Sequence, residues 1–77
     1  MSPTTSPRYR LFLHRLRVAR KAANLTQAEV ARSLDRPQSY VSKCEAGERR
    51  VDVLELSDFA KLYGKPLSYF VGWKESA

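Results

Sequence analysis

Signals that start and stop helices divide this chain at short intervals, and they limit its fold more than any other feature. Proline suits the first turn of a helix, and Pro7, Pro37 and Pro66 each stand at such a place. Thr26-Gln-Ala-Glu29 and Asp52-Val-Leu-Glu55 fit the capping box, in which residues three apart bond each other's free backbone N–H groups. The stop signals, residues that tolerate the left-handed conformation ending many helices, are Asn24, Gly47 and Gly64.

These signals predict five helices, spanning about 7–23, 26–34, 37–46, 52–63 and 67–72 with their capping residues. Apolar residues recur within them at helical spacing. The predicted inward positions are Phe12, Leu16, Ala19, Ala23, Val30, Ala31, Leu34, Val41, Cys44, Val53, Leu56, Phe59, Ala60 and Tyr63. No run of β-branched residues alternates, and no repeat or glycine-rich phosphate loop occurs. We expect an all-α domain over residues 7–73, with tails at 1–6 and 74–77.

Length and composition argue against an enzyme. Seventy-seven residues leave little room for a catalytic cleft. The single cysteine, Cys44, cannot form an internal disulfide, and with only His14 beside it a tetrahedral metal site cannot be completed. We expect no enzyme activity and no cofactor. Residues 1–7 lack the apolar core of a signal peptide, and no stretch approaches the roughly 20 apolar residues of a membrane span, so a cytoplasmic protein is expected.

The positive charge is concentrated at one end of the chain. The net charge is +6, and all of the excess precedes Thr26, where six basic residues face no acid. Such a segment indicates a polyanionic partner, with nucleic acid ahead of an anionic membrane surface. The alternative is a solvated helix face without a partner. Membrane binding fits poorly, because the first helix has no broad face of large apolar residues.

The second and third predicted helices carry a resemblance to a known family. Gln27 to Ala46 fits the twenty-residue helix-turn-helix pattern, with Ala31 at the fifth position, Val41 at the fifteenth and Cys44 at the eighteenth. Together with its flanking residues, the chain resembles the phage-repressor/Cro-like (XRE-type) regulators over roughly residues 12–70. The resemblance implies a lambda-repressor-like fold. Two positions depart from the pattern: Asp35 replaces the usual glycine of the turn, and Arg36 stands where an apolar residue is common.

The outward face of the third helix supplies the predicted contacts to DNA bases. With Val41 and Cys44 inward, a step of about 100° per residue turns polar side chains outward. Lys side chains suit guanine, Gln suits adenine, and Ser hydroxyls suit several base edges. The predicted base contacts are Gln38, Ser39, Ser42 and Lys43. An ordinary solvated helix face would have the same polarity.

Further roles follow from the resemblance. It implies that Gln27 contacts the DNA backbone and braces Gln38, and that Arg20 and Glu45 form an internal ion pair between the first and third helices. The predicted phosphate contacts are Gln27, Tyr40, Arg49, Arg50 and, as a second role, Arg20. Cys44 is expected to be a small buried core residue.

The last helix offers more apolar surface than a small core obviously needs, and exposed apolar patches often mark a partner surface. Its apolar residues are Leu67, Tyr69, Phe70, Val71 and Trp73. We expect a homodimer through this helix, although these residues could instead close the core. The expected function is sequence-specific binding of double-stranded DNA by a small regulator, most simply a repressor on an inverted repeat. The alternative is an antitoxin-like protein-interaction module, for which the four residues after Trp73 give only a short tail.

Overall fold

A computed structural model describes residues 6–71, and this part of the chain contains five helices and no strand. The helices are α1 (Pro7–Ala22), α2 (Gln27–Ser33), α3 (Gln38–Ala46), α4 (Val53–Tyr63) and α5 (Leu67–Val71). The all-α fold expected from the sequence is confirmed, and each predicted boundary within the described residues lies within one residue of the observed one. The predicted tails, the end of the last helix and Trp73 lie outside the described residues, apart from Ser6.

The predicted start signals of α1, α2 and α4 act as expected, whereas Pro37 is the N-cap of α3 rather than its first helical residue. The side chain of Ser6 accepts a hydrogen bond from the backbone N–H of Tyr9, with Pro7 at the first helical position. Both capping boxes are complete, at Thr26 with Glu29 and at Asp52 with Glu55. Each satisfies backbone donors that the first turn of a helix leaves without a partner.

The first four helices end in the same way. A residue with positive φ follows each of them, Asn24 (60°), Asp35 (57°), Gly47 (81°) and Gly64 (69°). After α2, the N–H groups of Asp35 and Arg36 bond the carbonyls of Arg32 and Ala31. This Schellman pattern satisfies carbonyls that the helix itself cannot. The aspartate at the turn therefore adopts the conformation for which the helix-turn-helix pattern usually employs glycine.

The buried core is drawn from all five helices. It contains Leu13, Leu16, Ala19, Val30, Ala31, Tyr40, Val41, Cys44, Leu56, Phe59, Ala60, Tyr63 and Phe70. Most of these were predicted, and the predicted Phe12, Ala23 and Leu34 pack against the core while partly exposed. Val53 was predicted inward and is 66% exposed, so that prediction is wrong. Val53 is the first residue of α4, where the helix has only just reached the core surface.

The core fixes α2 and α3 against each other and α1 against α3. Ala31 lies where these helices approach, and it is 3% exposed. Arg36 covers the ring of Tyr40, with its guanidinium carbon 4.4 Å from the ring centroid. The flat guanidinium thereby takes the place of the apolar residue common at that position. In residues 6–71 no helix is long and apolar enough to cross a membrane.

Candidate nucleic-acid interface

The exposed face of α3 brings the four predicted base-contacting residues together. Gln38, Ser39 and Lys43 are exposed and Ser42 is partly exposed. Val41 and Cys44 on the opposite face are completely buried. All four polar residues thus share one surface of a single helix whose position is set by the core. The major groove of B-form DNA, about 12 Å wide, can admit an α-helix that presents such an exposed polar face.

A network of hydrogen bonds around Glu45 locks α3 to α1 and α2. Glu45 is 2% exposed, although it carries a carboxylate. Arg20 of α1 binds it with two nitrogens, Nε at 2.7 Å from Oε2 and Nη2 at 3.1 Å from Oε1. Gln27 of α2 donates from Nε2 to Oε1 at 3.0 Å. Arg17 donates to the backbone carbonyl of the same residue at 2.7 Å. The predicted ion pair is therefore present, and it joins three helices.

The same network revises the predicted roles of two residues, the phosphate contact of Arg20 and the bracing of Gln38 by Gln27. Arg20 also donates from Nη1 to the carbonyl of Leu25, and only 12% of its side chain is exposed. The hydrogen bonds that Arg20 donates to Glu45 raise the pKa of Arg20, which stays charged. All three guanidinium nitrogens of Arg20 thus bond groups of the protein. We therefore assign Arg20 a structural role and no phosphate contact. The amide of Gln27 bonds Glu45 rather than bracing Gln38, although Gln27 remains partly exposed at the start of α2.

A second cluster lies where α3 is followed by the loop to α4. Arg49 binds Glu55 with two nitrogens, each at 2.9 Å, and lies 4.8 Å from the ring centroid of Tyr40. Arg36 approaches the same carboxylate at 3.9 Å. The bond from Arg49 is the main reason that the pKa of Glu55 is lowered. Arg49 therefore tethers the loop, with 41% of its side chain still exposed on the surface next to α3.

Comparison with known proteins agrees with this geometry. A family model described as a helix-turn-helix domain matches residues 11–67, most of the chain. This chain is a helix-turn-helix protein. A search of curated proteins and a search of solved structures each found no match.

Within the helix-turn-helix domain, Tyr40 is a core residue rather than a phosphate contact. It is 8% exposed, and its ring is nearly parallel to that of Phe59, with centroids 6.1 Å apart. Burial raises the pKa of its hydroxyl to about 12. Burial likewise raises the pKa of the Cys44 thiol, which is completely buried as predicted. We therefore remove Tyr40 from the phosphate-contacting set.

The predicted dimer surface is only partly available. Phe70 is completely buried, because α5 packs it against the domain core, so it closes the core instead. Tyr69 is partly exposed, with Arg15 bonding its carbonyl at 2.8 Å. Leu67 and Val71 are each 42% exposed.

Several residues whose side chains join distant segments of the domain were not predicted from the sequence. Of the six basic residues before Thr26, Arg15 and Arg17 each bond a backbone carbonyl within the protein, in addition to the predicted bond of Arg20 to Glu45. The concentrated charge is thus partly structural. Tyr9 was also missed: its hydroxyl accepts from the N–H of Val51 at 3.2 Å, and Arg50 lies 4.7 Å from its ring centroid. These partners are 25 or more residues apart in the sequence, and no local pattern signals them.

Proposed function

We propose that this protein is a sequence-specific transcriptional regulator that binds double-stranded DNA, with α3 lying in the major groove. One observation carries the proposal: the four polar residues Gln38, Ser39, Ser42 and Lys43 share the solvent side of a helix whose other side is buried. The Glu45 network supports it, because a helix that reads bases must be held in a fixed orientation. The simplest regulatory mode is repression by occluding a promoter, with no catalytic step.

The proposed contacts divide into two kinds. Gln38, Ser39, Ser42 and Lys43 read base edges, and Gln27, Arg49 and Arg50 hold phosphates. Gln27 stands at the first position of α2, where free N–H groups and the helix dipole favour an anion. Arg49 and Arg50 follow α3 on the adjoining surface. Phosphate contacts set register and affinity, whereas base contacts set sequence preference.

The experiment starts from a random pool of DNA duplexes, because the target sequence is not specified by the residues. Duplexes are enriched on the protein, and binding to the enriched sequence and to a scrambled duplex is then compared by electrophoretic shift. We expect Gln38→Ala with Lys43→Ala to remove the preference for the enriched sequence while circular dichroism stays unchanged. Lys61→Ala, an exposed lysine of α4, removes one charge elsewhere and should keep the preference.

Failure to enrich any sequence, with equal binding to all duplexes, would contradict sequence-specific regulation. Equal behaviour of the α3 variant and Lys61→Ala would contradict the assignment of α3 to base contacts. Binding to the enriched duplex and to the scrambled duplex is measured at several salt concentrations, because non-specific binding is mainly electrostatic and falls steeply with salt.

We further propose that the protein binds an inverted repeat as a homodimer, with Leu67 of α5 in the contact. A single domain covers few base pairs, and two-fold dimers on half-sites about 34 Å apart gain specificity. Leu67 is 42% exposed and lies on the last described helix. Sedimentation should show a dimer that Leu67→Asp dissociates and Val18→Asp, an exposed change on α1, leaves intact. A monomer at all protein concentrations would contradict this arrangement.

A further inference from the structure

Tyr9, in the first turn of α1, contacts two consecutive residues of the loop that follows α3. Its hydroxyl accepts a hydrogen bond from the backbone N–H of Val51 at 3.2 Å, across 42 positions of the sequence. Its ring lies beneath the guanidinium of Arg50, whose central carbon is 4.7 Å from the ring centroid. One residue of α1 therefore contacts both the backbone and a basic side chain of this loop.

We propose that Tyr9 is a positioning residue for DNA binding, which holds the guanidinium of Arg50 where it can bind a phosphate. This inference rests on the proposed function, in which Arg50 is a phosphate contact. Tyr9 itself makes no contact with DNA in the proposal and acts through Arg50. A residue of α1 would thereby contribute to a surface built from α3 and its following loop.

Tyr9 suits this role because its own position is set by the fold. Its backbone N–H donates to the side chain of Ser6, the N-cap of α1, at 3.0 Å. Its ring contacts the ring of Phe12, with centroids 5.1 Å apart, and Phe12 packs against the core. The ring of Tyr9 is therefore held in place by α1 and, through Phe12, by the core.

Arg50, in contrast, is an exposed residue with a long side chain that has many rotamers. Ordering such a side chain on binding costs free energy, and a contact present before binding lowers that cost. A guanidinium over an aromatic ring is a contact of this kind. The group carries five N–H donors, so it can stay over the ring while it binds phosphate oxygens. Tyr9 thus favours the binding orientation of Arg50 before DNA arrives.

The other arginine of the loop is held by a different kind of contact. Arg49 binds the carboxylate of Glu55 with two nitrogens, each at 2.9 Å. That carboxylate places a negative charge beside the guanidinium and so opposes a second anion. The ring of Tyr9 orients Arg50 without adding a negative charge, and this contact does not weaken the attraction of Arg50 for DNA.

A double-mutant cycle in DNA binding tests the proposal. Arg50→Ala should weaken binding to the enriched duplex about tenfold, as expected for the loss of a charged hydrogen-bonding group. Tyr9→Leu, which removes the ring, should weaken it about two- to fivefold. Once the ring is absent, the effect of Arg50→Ala should be smaller by that same factor.

Two further variants separate positioning from stability. Tyr9→Phe loses the hydrogen bond to Val51 but keeps the ring, so its coupling to Arg50 should equal that of the wild type. Lys61→Ala, at an exposed lysine of α4, should have the same small effect with and without the ring of Tyr9. Binding is measured at a temperature at which circular dichroism and urea unfolding show every variant to be folded.

An equal effect of Arg50→Ala with and without the ring would overturn the proposal and leave the phosphate contact intact. A loss of coupling in Tyr9→Phe would overturn it too, because the ring would not be the group that positions Arg50. If Arg50→Ala alone left binding unchanged, the proposed phosphate contact would itself be wrong, and the role of Tyr9 would be lost with it.

A measurement without DNA completes the test. Protons above an aromatic ring resonate upfield, so the side-chain proton signals of Arg50 should be shifted upfield in the wild type and in Tyr9→Phe. The shift should disappear in Tyr9→Leu. Its absence from the wild type would overturn the proposal, whatever the affinities for DNA.

Discussion

Glu45 is the residue on which the position of α3 most depends. Its buried carboxylate accepts from Arg20 and Gln27, and its carbonyl accepts from Arg17. Glu45→Ala would leave the largely buried guanidinium of Arg20 without its charge partner. Breaking a buried pair in this way costs about 3 kcal/mol or more. For a domain of this size each kcal/mol lowers the melting temperature by roughly 4–8 °C, so we expect a drop of at least about 10 °C in thermal unfolding.

Glu48→Ala is the control for this measurement. Glu48 is exposed three residues later, and its removal changes the net charge by the same amount. Its melting temperature should stay within a few degrees of the wild type, because isolated surface charges contribute little. Equal melting temperatures for wild type and Glu45→Ala would show that the network does not stabilise the fold.

Replacement of tyrosine by phenylalanine is expected to affect stability differently at two positions, because the two hydroxyl groups differ in their hydrogen bonds. The hydroxyl of Tyr63 is buried and finds no hydrogen-bond partner among residues 6–71, whereas that of Tyr9 accepts from Val51. Tyr63→Phe should leave the melting temperature unchanged or raise it, because an unsatisfied buried polar group is removed. Tyr9→Phe should lower stability by about 1 kcal/mol. Thermal unfolding of both variants checks this, and a clear loss for Tyr63→Phe would reveal a partner for its hydroxyl.

Individual site residues differ in how far the sequence could predict them. The outward face of α3 followed from the helical period once Val41 and Cys44 were set inward. The pair of Arg20 and Glu45 followed from the family resemblance alone. The prediction for Tyr40 was wrong, because a tyrosine near a surface helix face can point to solvent or to the core. Its ring contact with Phe59 of α4 shows that Tyr40 points to the core.

At the scale of helices, start and stop positions were predictable because their hydrogen bonds join residues within five positions of one another. Asp35 is an example, since the Schellman bonds that require its positive φ are all local. The placement of α5 was not predictable in the same way. Phe70 is buried only because α5 folds back onto α1 and α4, and that contact is long-range.

The connection between α3 and α4 gives a pH-dependent prediction. Arg49 holds the pKa of Glu55 below its ordinary value of 4.5, so this group stabilises the fold above that pH. The contribution is lost as pH falls through the lowered value and Glu55 becomes protonated. Glu55→Gln keeps a capping-box side chain but cannot ionise. We expect the variant to melt below the wild type at pH 7 and the difference between the two to shrink as the pH falls below the ordinary pKa of a glutamate.

Thermal unfolding of both proteins between pH 3 and pH 7 measures this difference directly. The acid unfolding of other carboxylates is common to the two proteins and cancels in the comparison. A constant difference across the whole range would show that the ion pair with Arg49 does not titrate as the geometry indicates.

For the molecule as a whole, some of the basic side chains counted in the net charge are held by bonds within the fold. Arg15, Arg17 and Arg20 each bond groups of the protein. Arg15 and Arg17 keep their charge, since they bond neutral carbonyls, but their side chains are fixed by these bonds. We therefore expect DNA phosphates to be held mainly by the basic residues beside α3. Composition revealed the total of +6, but only the fold separates structural arginines from surface ones.

The salt dependence of DNA binding tests this division. Each phosphate contact changes the slope of log K against log salt by about 0.9, so Arg50→Ala should make the slope shallower by roughly 1. It should weaken binding to enriched and scrambled duplexes equally. Lys43→Ala, a base contact in our proposal, should instead lower affinity for the enriched duplex by about 1–3 kcal/mol and spare the scrambled one.

Lys61→Ala serves as the control for both variants, because it removes one positive charge from α4 without touching the proposed surface. If long-range charge alone governed binding, all three variants would change the salt slope alike. If instead contacts beside α3 govern it, Lys61→Ala leaves the slope at the wild-type value. The ranking of the three slopes therefore decides whether this domain binds DNA through a built surface or through its net charge.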